Sequence, residues 1–150
     1  MTIRNRALAV AVVVLAAAGW LTAQAEQKVQ MKDLPPAVQK AVQEHTKGLT
    51  VKGFAKEVED GKTFYEAETT VNGHSKDFLF DTAGKLVEIE EEVSLDSVPA
   101  AVKTALEAEG KVLLVETVTK GKTVTYEGTV EKNGKKSEIP MDANGKKIKG

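Results

Sequence analysis

A group of sequence landmarks occurs twice in this chain, and the two copies are 61 residues apart. Each copy contains a Tyr-Glu pair, an Asn-Gly pair and an aspartate that is followed three residues later by glycine. The landmarks are Tyr65, Asn72, Asp81 and Gly84 in the first copy, and Tyr126, Asn133, Asp142 and Gly145 in the second. A constant spacing over several landmarks indicates a duplicated supersecondary unit. The fold must therefore accommodate two related halves.

The N-terminal 25 residues have the pattern of a secretory signal peptide. Two arginines precede an apolar run at residues 7–18, and Ala23-Gln24-Ala25 then forms a small-x-small cleavage site. The apolar run is short for a membrane-spanning helix, although an uncleaved N-terminal anchor is the alternative. We predict cleavage between Ala25 and Glu26, and a mature protein in the periplasm or outside the cell.

Cysteine content and charge restrict the partners and the chemistry. The chain has no cysteine, which excludes disulfides and a thiol nucleophile. Nineteen lysines and twenty-two acidic residues follow the signal peptide and give a net charge of −3. Residues 26–93 carry −5, and residues 94–150 carry +2. This balance does not indicate a nucleic-acid-binding surface. We predict no nucleic-acid partner, no cofactor and, after signal cleavage, no membrane partner.

Each half is predicted to begin with an amphipathic helix that follows a capping residue, Asp33 or Ser97. The apolar stripe of the first helix consists of Leu34, Val38, Ala41 and Val42. The stripe of the second helix consists of Val98, Val102, Ala105 and Leu106. The two stripes are 64 residues apart rather than 61, so the second half is predicted to contain a shorter loop or strand.

Strand-like sequence follows each helix, and turn residues divide it. Asn72-Gly73 and Asn133-Gly134 predict two-residue hairpin turns, because Asn and Gly tolerate the positive φ that a type I′ turn requires. Opposed residues of the first hairpin must then have numbers that sum to 145, which places Tyr65 opposite Phe80. The face that carries this pair is predicted to receive the helix, with Tyr65 buried beneath it.

These elements predict an α+β fold of two tandem repeats, in which one helix is followed by a four-stranded antiparallel sheet. The predicted divisions are a signal peptide at 1–25, a tether at 26–32, a first repeat at 33–93 and a second repeat at 94–150.

Three motifs together resemble the PepSY-like family of small exported bacterial domains, which is also described as similar to beta-lactamase-inhibitor-protein folds. They are Leu34-Pro35-x-x-Val38, the Tyr-Glu pair that opens a strand, and Phe80-Asp81-x-x-Gly84-Lys85. The resemblance implies a helix packed on one face of a four-stranded sheet, repeated, with the other face open to a partner. It also implies binding or inhibition, for example of an exported hydrolase, rather than catalysis.

The second copy departs from this pattern at two positions. Met141 replaces the phenylalanine found at Phe80, and Pro140 replaces Leu79. Since proline cannot donate to a sheet ladder, Pro140 is predicted at an edge or bulge.

The face opposite the first helix is the predicted partner-binding surface. Its candidate residues are Phe64, Glu66, Glu68, Asp77 and Leu79. Glu68 and Asp77 are like charges across one hairpin, an arrangement that is destabilising without a cation. A basic partner surface would supply the cation. The alternatives are that both carboxylates point into solvent or that Lys76 neutralises them.

No residue set for catalysis or metal binding is recognised. The serines lie in no nucleophile-elbow motif, and His45 and His74 occupy unrelated positions. Asp142-Ala143-Asn144-Gly145 resembles the start of a calcium loop, but the later ligands are missing. We therefore predict a non-enzymatic binding module that recognises an unknown exported protein or peptide. The alternative is a small cation- or ligand-binding envelope protein that uses the acidic first repeat.

Overall fold

The computed structural model describes residues 24–149 of the chain. The strands are β1 (Gln24–Val29), β2 (Thr50–Glu59), β3 (Lys62–Val71), β4 (His74–Asp81), β5 (Leu86–Glu92), β6 (Lys111–Lys120), β7 (Thr123–Lys132) and β8 (Lys135–Met141). The helices are α1 (Pro36–His45) and α2 (Ala100–Glu109), and the short 3₁₀ helices Met31–Asp33 and Leu95–Ser97 precede them. The predicted signal peptide lies almost wholly outside the described residues.

All eight strands belong to one antiparallel sheet and follow one another in chain order. The prediction of an α+β fold with two four-stranded sheets is therefore wrong, since the protein is mostly β with two helices on one continuous sheet. The strands β5 and β6 join the halves through pairs that run from Ile89 opposite Thr119 to Glu92 opposite Glu116. A strand edge left unpaired at β5 would expose backbone N–H and C=O groups, and β6 satisfies them.

The true repeat begins one strand earlier than the sequence suggested. The segment β1 to α1 recurs as β5 to α2 at the larger offset, and the three-strand meander β2 to β4 recurs as β6 to β8 at the smaller one. Four residues connect α1 to β2, but Gly110 alone connects α2 to β6, and this difference produces the change of offset. Residues 26–32, predicted as a tether, lie in β1 and at the start of the first 3₁₀ helix.

Both helices pack on the same face of the sheet. The first core joins Val38 and Val42 of α1 to Phe78 and Phe80 of β4. The second joins Val102 and Leu106 of α2 to strands β6 to β8. The predicted stripes are confirmed, and only Ala105 of the eight residues is less than fully buried. Tyr65 packs on the first core but is only partly buried, whereas its partner Phe80 is 0% exposed.

Local turn chemistry agrees with the sequence, whereas the helix caps do not. Asn72 and Asn133 have positive φ angles of 52° and 54°, and Tyr65 lies opposite Phe80. Asp33, by contrast, lies in the 3₁₀ helix, where its carboxylate accepts a hydrogen bond from the Gln30 N–H at 3.0 Å. The N-cap of α1 is Pro35. A 3₁₀ turn before each helix was not anticipated, because a three-residue turn leaves no periodic signal.

Candidate functional site

The face of the sheet that points away from both helices is called the open face here. All five residues predicted for partner binding lie on it. Phe64 is opposite Asp81 and Glu66 is opposite Leu79, and the neighbouring pairs of β3 and β4 place Glu68 opposite Asp77. Phe64 and Leu79 are partly buried rather than fully exposed. Their role in binding remains a prediction.

The continuous sheet adds carboxylates from other strands to this face. The pairing of each strand with the next places Glu57, Glu88, Glu90, Glu92, Glu116, Glu127 and Glu138 on the open face. Sequence reasoning missed these residues as members of one site, because their proximity depends on the pairing of β5 with β6. The alternation of acidic residues in β5 was the available signal, but it also fits a solvated linker.

Several of these carboxylates lie directly opposite one another. Asp77 on β4 is opposite Glu90 on β5. Glu92, Glu116 and Glu127 form a second row across β5, β6 and β7. Directly opposed residues in an antiparallel pair have Cβ atoms about 4.5–5.5 Å apart, and like charges at that spacing repel. The open face therefore contains two rows of mutually repelling groups.

Lys28 on the edge strand β1 supplies one cation to this face. Its ammonium group forms an ion pair with Glu26 at 2.6 Å and another with Glu68. These hydrogen bonds raise the pKa of Lys28, although partial burial acts in the opposite direction. The predicted neutralisation by Lys76 does not occur, since Lys76 pairs with Glu91 at 3.1 Å on the helix-bearing face. The cation for Glu68 comes from a strand that the sequence did not reveal.

Asp77 does not point freely into solvent. Its carboxylate accepts a hydrogen bond from the backbone N–H of Thr69 at 2.8 Å, and this side chain replaces a rung of the β3–β4 ladder. Burial raises the pKa of Asp77 to about 6, although this hydrogen bond opposes the rise. The second half has no aspartate at the equivalent position, which is occupied by Glu138.

The two most perturbed carboxylates occupy the middle of the sheet. Burial, followed by repulsion from Glu57 and Asp77, raises the pKa of Glu66 to about 8. Burial, followed by repulsion from Glu116 and other acids, raises the pKa of Glu90 to about 9. Both shifts have the same physical cause, because a half-buried carboxylate beside others favours its neutral form.

The remaining acids of the open face divide into two kinds. Burial and neighbouring acids raise the pKa of Glu127 to about 7, and burial also raises the pKa of Glu116. Glu92 is different: burial would raise its pKa, but hydrogen bonds from His74 and the Ser75 N–H, at 3.0 Å and 3.1 Å, lower it. A donor thus compensates Glu92, and no such donor compensates Glu127 among the described residues.

Apolar side chains lie between the acids. Ala55 and Val118 belong to the open face, yet they are only 0% and 8% exposed. Neither lies beneath a helix, so the longer side chains of the face itself shield them. Such shielding removes water from around the carboxylates, and this is the burial that raises their pKa values.

Three acids near the β1 edge have the spacing of a cation site. One oxygen from each of Glu26, Glu66 and Glu68 lies within 4.8 Å of the others. The ammonium group of Lys28 contacts two of these residues, Glu26 and Glu68. In this structure a side-chain ammonium therefore provides the positive charge.

A small cavity lies elsewhere, beside the β5–β6 junction. Its volume is about 130 Å³, and it is lined by Glu92, Val93, Leu95 and residues 112–115. Pockets for drug-sized ligands measure roughly 300–1,000 Å³. This cavity is too small for such a ligand, so the open face is the better candidate site.

A family model with the description "Putative beta-lactamase-inhibitor-like, PepSY-like" matches the chain twice, at residues 15–88 and 63–149. The chain belongs to the PepSY-like family. The two matches to this family agree with the internal duplication, and both include residues 63–88. The predicted resemblance is therefore confirmed. A search of curated proteins gives no significant match to this PepSY-like chain.

Solved structures similar to the PepSY-like chain come from Bacteroides species. A protein of Bacteroides eggerthii described as a putative periplasmic protein is 25% identical, with a TM-score of 0.62 and coverage of 77% of this chain and 86% of that one. A DUF2874 family protein of Bacteroides ovatus is 24% identical, with a TM-score of 0.58 and coverage of 77% and 85%. A BLIP-like protein of Bacteroides fragilis is 24% identical, with a TM-score of 0.54 and coverage of 77% and 84%. The last two show a shared fold.

The periplasmic description of a relative confirms the predicted periplasmic or secreted location of this PepSY-like protein. Neither helix within residues 24–149 has the length and hydrophobicity needed to cross a membrane. The predicted cleavage position between Ala25 and Glu26 falls within β1, and it remains a prediction.

Proposed function

We propose that this protein is a non-enzymatic binding module of the cell envelope, and that its open face binds a basic surface of an exported protein or peptide. The observation that carries the proposal is the pair of carboxylate rows on that face. Each row places like charges opposite one another, and a cationic partner would relieve their repulsion.

The distribution of cations supports this choice of partner. Among the described residues, the lysines paired with open-face acids lie at two places, Lys28 beside Glu68 and Lys120 at 3.0 Å from Glu88. Within residues 24–149, Glu66, Glu90 and Glu127 have no lysine or arginine at salt-bridge distance. A partner surface with several lysines or arginines has the charge that these positions need.

The histidines and the arrangement of acids support binding rather than catalysis. His45 at the end of α1 packs its ring against Phe80 with centroids 5.6 Å apart, and His74 pairs with Glu92. The strongly perturbed acids are spread along the sheet rather than gathered in a pocket, whereas catalytic acids and bases usually line a cleft.

Capture from an envelope extract under crosslinking conditions tests this function. The wild-type protein should retain a specific basic protein or peptide, and retention should weaken as salt rises. A variant with Glu66→Gln and Glu127→Gln should lose most of that retention. The control, with Glu44→Gln and Glu107→Gln on the exposed helix surfaces, removes the same charge and should bind like the wild type. Equal retention by both variants would contradict the proposal.

Inhibition of an exported hydrolase, or an adaptor role toward another envelope protein, is the finer form of this proposal. The family description, which names likeness to a beta-lactamase inhibitor, supports it. If a captured partner is a hydrolase, its activity should fall with increasing wild-type protein and should remain unchanged with the Glu66→Gln, Glu127→Gln variant. Full activity at saturating wild-type protein would leave an adaptor role as the form to test.

A second candidate function is the binding of a small cation near β1. The approach of Glu26, Glu66 and Glu68 to within 4.8 Å favours it, since carboxylate oxygens are the preferred ligands of calcium. Calcium would have to displace Lys28, so Lys28→Gln should increase the rise in Tm that calcium causes. A Tm that calcium leaves unchanged in both proteins would rule this candidate out.

A further inference from the structure

The middle of the open face contains carboxylates that have no cation of their own and lie beside one another. Glu90 is the clearest case. The charged groups around it are Asp77 on β4, Glu88 and Glu92 on β5, Glu116 and Lys120 on β6, Glu66 and Glu68 on β3, and Glu127 on β7. Lys120 is the one cation of this set, and its ammonium group is paired with Glu88.

Glu66 has similar surroundings on the other side of β4. The charged groups around it are Glu57 on β2, Glu26 and Lys28 on β1, Glu68 on β3, Asp77 on β4 and Glu88 on β5. Lys28 is already bonded to Glu26 and Glu68. Five acids and one engaged lysine thus surround a carboxylate that is itself half buried.

The chain itself shows which chemical group the open face accepts. Two alkylammonium groups are bound there, that of Lys28 by Glu26 and Glu68, and that of Lys120 by Glu88. Both lie at a margin of the acidic region, on β1 and at the end of β6. Further ammonium groups on a partner would extend the same contacts to the middle of the face.

We propose that a lysine-rich partner segment displaces protons from the central carboxylates, above all Glu90 and Glu66, so that binding releases protons and tightens as pH rises. This inference rests on the proposed function. In the free protein a proton is the positive charge that offsets the repulsion between neighbouring acids. A bound ammonium group takes over that role, because an opposite charge within a few ångströms favours the ionised carboxylate. The raised pKa values of Glu90 and Glu66, about 9 and about 8, agree with this exchange.

Calorimetric titration with an oligolysine peptide tests the exchange directly. The peptide remains charged, because lysine has a pKa of about 10.4. Titrations at one pH in two buffers with different ionisation enthalpies should give different heats, and the difference counts the protons released. For each proton released, the association constant should rise about tenfold per pH unit between about pH 6 and about pH 9.

Variants distinguish proton exchange from simple attraction. Glu90→Gln removes a proton-holding group, so it should release fewer protons and show a shallower dependence on pH. Glu107→Gln, which removes a charge from the exposed surface of α2, should release as many protons as the wild type. A variant at Glu90 that releases as many protons as the wild type would contradict the role of this residue.

The two proposals fail in different ways. If oligolysine binds the open face with heats that are the same in both buffers, the proton exchange is wrong and the binding function stands. If neither oligolysine nor any envelope protein binds, the proposed function is wrong and the exchange fails with it.

Discussion

The carboxylate of Asp77 accepts a hydrogen bond from the backbone N–H of Thr69, with a donor-to-acceptor distance of 2.8 Å. Thr69 itself is 1% exposed, so this N–H has little access to water. The contact turns a residue that sequence reasoning treated as a free surface charge into a part of the sheet. Asp77 thus has a structural role in addition to its place on the open face.

Substitutions at Asp77 should separate these two roles. Asp77→Asn keeps an oxygen that can accept from Thr69 and removes the repulsion from Glu68, so we expect stability equal to or above that of the wild type at neutral pH. Asp77→Ala leaves the Thr69 N–H without its partner and should cost about 1–3 kcal/mol. Chemical denaturation of both variants measures the difference. Equal stability of the two variants would show that the hydrogen bond has no net effect.

The pH dependence of stability should reflect the raised pKa values of the open face. Folding favours the protonated form of Asp77, Glu127, Glu66 and Glu90, whose pKa values are about 6, 7, 8 and 9. The stability that these groups contribute is present below their ordinary pKa values and is lost as pH rises through the raised ones. The melting temperature should therefore fall between about pH 5 and about pH 9. A flat or rising profile over this range would contradict the burial of these acids.

Glu90→Gln should remove part of that decline. Glutamine has nearly the shape of glutamate but no charge, so the variant should be more stable than the wild type at about pH 8, by a margin on the order of 1 kcal/mol. Near pH 5 the two proteins should have similar melting temperatures, because Glu90 is then protonated. Glu107→Gln is the matched control, and its curve should follow that of the wild type. An equal gain from this control would indicate a general effect of net charge.

The second core contains a matched pair of a small and a large residue. A Cβ atom added at Gly128 would lie 2.7 Å from Cδ1 and 3.0 Å from Cγ of Leu106, which is fully buried. The equivalent positions of the first half are Ala67 and Val42, one carbon larger and one carbon smaller. Gly128→Ala should therefore destabilise the protein by about 1–3 kcal/mol through overpacking.

A compensating change tests the cause of that loss. Leu106→Val reproduces the residue of the first half, and the double variant should recover part of the stability lost by Gly128→Ala. The measurement is a double-mutant cycle by chemical denaturation. Simple addition of the two losses would show that these side chains do not share one space.

Within the first core, Phe80 should matter more than Tyr65. Phe80 is 0% exposed and Tyr65 is partly buried, although the two lie opposite each other. Phe80→Ala should cost about 3–5 kcal/mol and Tyr65→Ala clearly less. Thermal denaturation at one pH compares the two variants. A greater loss for Tyr65→Ala would mean that its ring contributes more packing than its exposure indicates.

Features fixed by local chemistry could be predicted from the sequence. Asn72 and Asn133 set the hairpin turns and thus the registers, which placed Phe64, Glu66, Glu68, Asp77 and Leu79 on one face. The helix stripes followed from apolar periodicity.

Features fixed by distant contacts could not be predicted. The strand β5 has four acids among its last five residues and so resembles a solvated linker, and its partner β6 lies beyond an entire helix. The mainly polar sequence of β1 gives no strand signal. Since Lys28 comes from β1 and Glu90 from β5, these two errors also concealed the cation beside Glu68 and the centre of the open face.

The strand β5 supplies Leu86 and Ile89 to the first core, and the residues that follow it, Val93 and Leu95, pack on the second. The two halves are therefore thermodynamically inseparable, because melting of either one removes a wall of the other. A lesion that loosens the first core lowers the heat resistance of the second as well. The duplicated origin of the chain is visible in its pattern of residues but not in how the molecule melts.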